Sequence, residues 1–455
     1  MLGRLTGALV AAEPDGLESP HRRMVVGTFS SVLIAALVFA VFAVFGFIVP
    51  GGASKWREPG VLVVEKETGS RYVYVNGLLR PVLNYASARL LFDKEPKIVR
   101  VSRKSLREVA HGLPVGIVGA PEALPTAGTV GSQVWTVCAL AARDQAGTLS
   151  TATTLTIEKA VTGPRRDQPL DPAQAIVVSA GGESFLVWRG QRLRLTQPWL
   201  ARILGLDRSP FPVETGWLES VPVGPDIAPV PVPGRGTAGP TVDGRRARVG
   251  ELFVARVAGG PERQYLLQRD GLTELSPVGY ATAAADPETS KVYGGRPAEP
   301  TELSPGAMAQ LPVSRQPGPP AGLPERPPQF AELPSGGTWC VRQTMADHQV
   351  QVTADVPVTA AGVVRDGVGI TRTSRTAAAV AVQPGTGGLV RAGRLDQAAG
   401  SGFYLVTDAG TKYPLAAAAV ASQLGYPPEG ARPVPRRLLE MLPTGPVLDA
   451  AAARG

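Results

Sequence analysis

Residues Val25 to Val49 form an unbroken run of twenty-five uncharged residues, dominated by Val, Leu, Ile, Phe and Ala. At about 1.5 Å of helical rise per residue, such a run crosses the roughly 30 Å hydrocarbon core of a bilayer with room for tilt. It follows the basic patch His21, Arg22 and Arg23. A cleaved signal peptide begins the same way, but its apolar stretch is only about 7 to 15 residues and ends at small residues. Here the run is longer and ends in Phe47-Ile48-Val49-Pro50. It therefore reads as an uncleaved anchor, with residues 1–24 a short segment before it and 25–49 the transmembrane helix. Lys55 and Arg57 follow the run almost as closely as the arginines precede it, so charge alone does not orient it.

The rest of the 455 residues carries 53 glycines and 44 prolines, about a fifth of the chain, which argues against a helical bundle or a tight α/β enzyme core. A net charge of +8, read as spread along the chain, does not imply nucleic acid. Arg245, Arg246 and Arg248 read as a solvated turn rather than a phosphate-binding patch.

A short pattern recurs four times in this part. Tyr72-Val73-Tyr74-Val75-Asn76-Gly77, Phe185-Leu186-Val187-Trp188-Arg189-Gly190, Tyr265 to Gly271 and Tyr404 to Gly410 each read as a strand turning at Gly into a second strand. A small helix is expected after each, as at Asn84 to Leu91 and Thr196 to Leu204, where apolar residues recur at helical spacing. A second element closes each copy: a short helix stopped by a Pro/Gly turn, at Leu106 to Ile117, Trp217 to Ile227, Met308 to Pro312 and Leu438 to Leu448. The spacing of the copies is too uneven for a solenoid. β-rich runs between them, such as Gln133 to Leu140, Ala152 to Ile157, Val350 to Val358 and Ala378 to Val382, suggest a central β domain assembled from distant segments.

The fold class expected is therefore α+β: one N-terminal transmembrane helix, then a multi-domain extracytoplasmic region of four small α/β repeat domains around a central β domain. The boundaries are repeat domains at 60–127, 176–239, 259–330 and 399–455, with central β segments at 128–175, 240–258 and 331–398. The Pro-rich stretches 210–240 and 294–330 read as extended chain, either ordered wraps or loose connectors.

The two cysteines, Cys138 and Cys340, each lie in a β-favouring run beside a Trp. They are either a disulfide in an oxidising compartment or two buried thiols in a reducing one. Two Cys and three scattered His offer no metal-ligand spacing, so no metal or cofactor is expected. Catalytic readings fare poorly. No Gly-x-x-x-x-Gly-Lys-[Ser/Thr] occurs, and Gly385-Thr386-Gly387-Gly388 lacks the lysine that would reach a phosphate. Ser132 and Ser401 sit beside glycines without a nucleophile elbow. His111 reads as a helix-terminal polar residue and His348 as part of a hairpin turn.

The residues also carry a resemblance. Ala8-Leu9-Val10, Asp15-Gly16 and Pro20-His21-Arg22-Arg23 before the anchor are followed by Gly77-Leu78-Leu79-Arg80-Pro81-Val82-Leu83-Asn84-Tyr85-Ala86-Ser87-Ala88-Arg89-Leu90. Ser102-Arg103-Lys104-Ser105-Leu106 then leads to Gly112-Leu113-Pro114-Val115-Gly116-Ile117-Val118-Gly119-Ala120-Pro121, the most specific segment. Over nearly its whole length the chain resembles the EccB family, the membrane-anchored core component of the actinobacterial type VII (ESX) secretion system. The Trp-flanked Cys138 and Cys340 match that family's cysteine pair, so the resemblance implies a disulfide. It also implies a single-pass inner-membrane protein with a cytoplasmic N-terminus and an extracytoplasmic bulk. Implied partners are the other membrane components of the complex, including an FtsK/SpoIIIE-type ATPase, and further copies of itself. The implied work is structural: anchoring and organising the translocation assembly. A membrane-anchored ATPase or other hydrolase of the same complex is the alternative. Family members usually carry further residues before the equivalent of Leu5, so a longer N-terminus is expected.

Overall fold

The computed structural model describes residues 20–48, 54–92, 95–127, 130, 133–143, 149–160, 168–206, 209–256, 259–334, 337–347, 349–355, 362–363, 367–393 and 402–455. The segment 1–19 and Val49 lie outside them. Pro20–Ile48 is one continuous helix of 29 residues. Within it, Arg23–Val44 is long and apolar enough to cross a membrane, and none of it is covered by the rest of the protein. Two of its three hydroxyl side chains donate back to the preceding turn, Thr28 Oγ1 to the Met24 carbonyl at 2.7 Å and Ser31 Oγ to the Thr28 carbonyl at 2.9 Å. Neither would then enter lipid without a partner.

Four small sheets share one strand order. In the first, Val61–Glu65 is central, antiparallel to Arg71–Val75 and parallel to Lys97–Val101, and Leu78–Pro81 completes the hairpin. Gln174–Ala180, Glu183–Trp188, Gln191–Leu195 and Phe211–Pro212 repeat this arrangement. So do Leu252–Ala255, Arg263–Gln268, Gly271–Leu275 and Thr301–Glu302, and again Gly388–Ala392, Phe403–Val406, Lys412–Pro414 and Arg432–Val434. The first two hairpins turn through residues of positive φ, Asn76-Gly77 at 51° and 80° and Arg189-Gly190 at 47° and 70°. Those values match the right-handed twist of a two-residue hairpin.

The fourth strand runs parallel to the first, so the chain must cross over between the third and fourth, and a helix makes each crossing. Tyr85–Leu90 is capped as the sequence predicts, with Asn84 Oδ1 accepting from the Ser87 amide at 2.9 Å. Its counterpart is shorter than expected. Pro198 delays it to Leu200–Ile203, and the Thr196 hydroxyl donates to the Ile227 carbonyl instead of capping. After each closing helix the chain runs extended along the outer hairpin strand, bridging His111 to Leu79, Val223 to Arg192, Val313 to Leu272 and Thr444 to Lys412. This covers an edge that would otherwise be open to pairing with another chain.

The chain divides into two compact units: residues 1–82 with 94–115, and residues 83–93 with 116–455. The first holds the anchor and the first small sheet, whose core joins Trp56, Val61, Val63, Leu79, Val101 and Leu106. The second holds a seven-stranded sheet, ordered Gly362–Val363, Ala379–Val382, Leu149–Lys159, Gln133–Arg143, Thr338–Thr344, Val350–Asp355 and Gln168–Pro169. Trp135, Val137, Leu155, Ile157, Trp339, Val341 and Val352 fall on one face, as two-residue alternation requires. That face packs on Ile176, Val178 and Val187 of the second small sheet and on Val390, Val406 and Val434 of the fourth. Crossover helices also pair: Ala86 and Leu90 share a core with Val420, Ala421 and Leu424, while Val278 joins the core of Leu193, Leu200 and Leu204.

Two boundaries differ from the sequence reading. The sequence places residues 240–258 in the central sheet, but Ala238–Val242 and Arg245–Arg248 form a two-stranded sheet of their own and Leu252–Ala255 opens the third small sheet. Gly388–Ala392, assigned to the central sheet within 331–398, opens the fourth. Such opening strands are buried on both faces and lack alternation, so periodicity cannot allot them. The Pro-rich stretch 294–330 is an ordered wrap at its end, where Gln329–Phe330 pairs with Gln174–Ala175.

Candidate functional site

The densest convergence of distant segments lies on the seven-stranded sheet. Cys138 and Cys340 are directly opposite in the ladder between Gln133–Arg143 and Thr338–Thr344, and a disulfide joins them with Cα atoms 4.1 Å apart. They occupy the face away from Trp135 and Val137, and Cys340 is fully buried. Next to them Thr338 Oγ1 donates to the Ala139 carbonyl, adding a side-chain bond to the same strand pair.

The two closing helices that pack on this sheet are Thr215–Ser220 and Arg436–Glu440. Trp217 is wholly buried and its Nε1 donates to the Trp339 carbonyl at 2.9 Å, one residue from Cys340. Glu214, at the start of that helix, accepts the Thr153 amide at 2.7 Å. One strap serves both helices. Arg375 donates to Glu219 at 3.2 Å and to Glu440 at 2.8 Å, the Ala377 amide donates to the Met441 carbonyl, and the Ala378 amide donates to the Thr153 carbonyl.

Lys412 is the buried cation of the fourth motif. Its Nζ donates to the Leu439 and Leu442 carbonyls, at 2.6 and 2.7 Å, where the closing helix ends and backbone acceptors lack intrahelical donors. Burial draws its pKa down to about 8, opposed by the nearby Glu440 carboxylate. Sequence reasoning found neither Arg375 nor Lys412. The signal within reach was the recurrence of Leu-Glu at Leu218-Glu219 and Leu439-Glu440, which places both carboxylates at one point of the motif.

The other residues weighed from sequence do not converge. His111 is exposed on the extended segment after the first closing helix, edge-on to Tyr72 at 5.6 Å. It is not the helix terminus expected, because the helix ends at Leu106. His348, Ser132 and Ser401 lie outside the described residues. Among the described residues, no group of three His, Cys, Asp or Glu could hold a metal ion. Arg245 belongs to a hairpin, not a loose turn, and grips Glu251 at 2.6 and 3.2 Å. In Gly385 to Gly388 the Gly385 amide donates to the Asp408 carboxylate at 3.1 Å. A Cβ on Gly387 would sit 2.4 Å from the Val406 carbonyl oxygen, so the glycine serves close packing.

Comparison with known proteins places this arrangement. The family described as type VII secretion system ESX-1, transport TM domain B, matches residues 1–455. The ESX-3 secretion system ATPase EccB3 of Mycolicibacterium smegmatis is 28% identical over 464 aligned residues, covering 96% of this chain and 84% of that protein. The ESX-1 secretion system ATPase EccB1 of Mycobacterium tuberculosis is 26% identical over 466, covering 100% of this chain and 92% of its own. Two solved structures share the fold. A chain of the periplasmic assembly from the ESX-5 inner membrane complex gives a TM-score of 0.69 at 24% identity, covering 90% of this chain and 97% of that one. The EccB3 dimer from the ESX-3 core complex gives 0.67 at 24% identity, covering 87% and 100%. With its anchor, its body and its cysteine pair all inside one full-length match, the chain belongs to the EccB family of type VII secretion membrane proteins.

Proposed function

We propose that this protein is a structural core component of a type VII secretion complex in the inner membrane, holding the translocation assembly together through its extracytoplasmic body. The observation that carries the reading is the extent of the family match, which takes in the apolar helix and the whole sheet-rich body as one piece. The disulfide supports placing the body outside the reducing interior, because such bonds persist in oxidising compartments. The N-terminus is then cytoplasmic and the anchor single-pass.

The four small sheets repeat one strand order, each followed by a short closing helix and an extended segment. A body of this kind offers repeated surfaces for neighbouring subunits. Its partners are other membrane components of the complex, an FtsK/SpoIIIE-type ATPase among them, and further copies of itself, in keeping with the dimer named for EccB3. The relatives carry the word ATPase in their names. We assign no nucleotide site to Gly385 to Gly388, because that segment is spent on packing and on Asp408.

The test is purification of the tagged full-length chain from detergent-solubilised membranes, followed by mass spectrometry and an ATP turnover assay. The reading expects a large assembly containing other type VII membrane components. An isolated chain that hydrolyses ATP after stringent repurification would replace it with the hydrolase reading.

A further inference from the structure

The positive charge is not spread along the chain, as composition alone suggested. Residues 54–82 and 94–115, the part of the first compact unit that follows the anchor, hold eleven Lys and Arg against five Asp and Glu. That small sheet and its flanks account for six of the eight net charges, and they come directly after the membrane span.

One end of the sheet also gathers apolar side chains that nothing in the unit covers. Leu62 pairs with Val73 on one side and with Ile98 on the other. Val75 pairs with Leu78 across the Asn76-Gly77 turn. The turn, Ile98 and the starts of the two parallel strands therefore lie together at a single end. Exposure there is high for aliphatic residues: 56% for Ile98, 45% for Val75 and 38% for Leu78. Lys55, Arg57 and Lys97 are exposed at the same end, in the company of Glu58 and Glu95. The Arg57 guanidinium lies 4.9 Å from the centre of the Trp56 ring and 6.0 Å from that of Tyr74, which stand edge to face at 5.2 Å. Cations and aliphatic tips in one place make up the composition that sits at a lipid headgroup layer.

The covalent tether keeps this end close to the bilayer. Five residues separate Ile48, the last of the anchor helix, from Ser54. Fully extended they reach about 20 Å, so the turn carrying Lys55 and Arg57 cannot leave the neighbourhood of the membrane surface.

We propose that this end of the first small sheet seats on anionic phospholipid headgroups of the membrane that the anchor crosses. Val75, Leu78 and Ile98 enter the headgroup layer, and Lys55, Arg57 and Lys97 meet the phosphates. Such a contact fixes the tilt of the first sheet against the bilayer, which a short covalent connection alone does not.

The test uses the full-length chain in lipid nanodiscs made either of phosphatidylcholine alone or of phosphatidylcholine mixed with phosphatidylglycerol. Amide hydrogen exchange is followed in residues 54–60 and 74–79. The inference expects several-fold slower exchange in the anionic discs. That difference should vanish in high salt and in the variant combining Lys55→Glu, Arg57→Glu and Lys97→Glu. Exchange in 133–143 and 338–344 reports whether the variant is folded, and Val75→Ser with Leu78→Ser gives a charge-neutral second variant that should weaken the protection. Equal exchange in both disc types for the wild-type chain overturns the proposal. Co-elution with the discs scores insertion of the anchor separately, so a negative lipid result leaves the reading of the anchor standing.

Discussion

Cys138 and Cys340 face each other across one rung of an antiparallel ladder although 202 residues separate them along the chain. The bond therefore encloses the second and third small sheets within a single covalent loop. In the chain-entropy account a loop of that size restricts the unfolded state by roughly 5 kcal/mol, an upper figure because engineered and natural bridges often deliver less. Cys138→Ser, Cys340→Ser and the double variant should lower the melting temperature by similar amounts, since either change removes the whole bond. A reductant should lower the wild-type value and leave the variants unmoved. Losses that add in the double variant would count against the bridge.

Trp217 ties the closing helix of the second motif to the strand that bears Cys340. Replacing it with Ala should cost about 3 to 5 kcal/mol, as expected for a large buried aromatic. Trp217→Phe keeps most of the volume but leaves the Trp339 carbonyl without its donor, at about 1 to 3 kcal/mol. Chemical denaturation of the three proteins measures both. A Phe variant as stable as wild type would show that the hydrogen bond contributes nothing.

Lys412 gives the fold a pH dependence of definite sign. Its pKa in the folded chain is about 8, below its ordinary value of 10.5, so between those two pH values the unfolded chain binds more protons than the folded one. Stability from this group therefore rises as pH climbs from about 8 toward 10.5, by on the order of 2 kcal/mol after allowing for solvent screening. Below that window both states are protonated and the dependence is flat. Lys412→Met should abolish the rise and, by leaving the Leu439 and Leu442 carbonyls unpaired, be less stable throughout. Melting curves of both proteins across this range decide the matter, and parallel curves would contradict the assignment.

Arg375 clamps Glu219 and Glu440 from two closing helices, but all three side chains are partly exposed. Arg375→Met should weaken the fold only slightly at low salt and indistinguishably from wild type at high salt, because screening removes what an exposed pair contributes. A large effect that persists in high salt would mean that the strap around Arg375 matters through packing instead.

Much of this was legible in the sequence. The anchor needed only its length and lack of charge. The hairpins announced themselves through Asn76-Gly77 and Arg189-Gly190, and the first crossover helix through its Asn84 cap, because turns and caps are set by a few adjacent residues. The opening strands Leu252–Ala255 and Gly388–Ala392 were misallotted, since a strand buried on both faces shows no alternation and its partners lie elsewhere in the chain. Of the convergent site, the cysteines could be named but their pairing stayed open from residues alone. Arg375 and Lys412 could not be singled out, because their meaning depends on carbonyls and carboxylates far away in sequence. The charge concentration near the membrane was present in the residues but became visible only when the chain divided into its two units.

The central claim is that one helix tethers a disulfide-fastened body outside the reducing interior, where it holds a secretion assembly together. Spheroplasts treated with an amine-reactive reagent that cannot cross the membrane, followed by peptide mapping of the purified chain, test it most directly. The account predicts modification at exposed lysines such as Lys66 and Lys97, with Cys138 and Cys340 recovered as a disulfide-linked peptide. Protection of those lysines until the cells are lysed, with both cysteines recovered as free thiols, would contradict it.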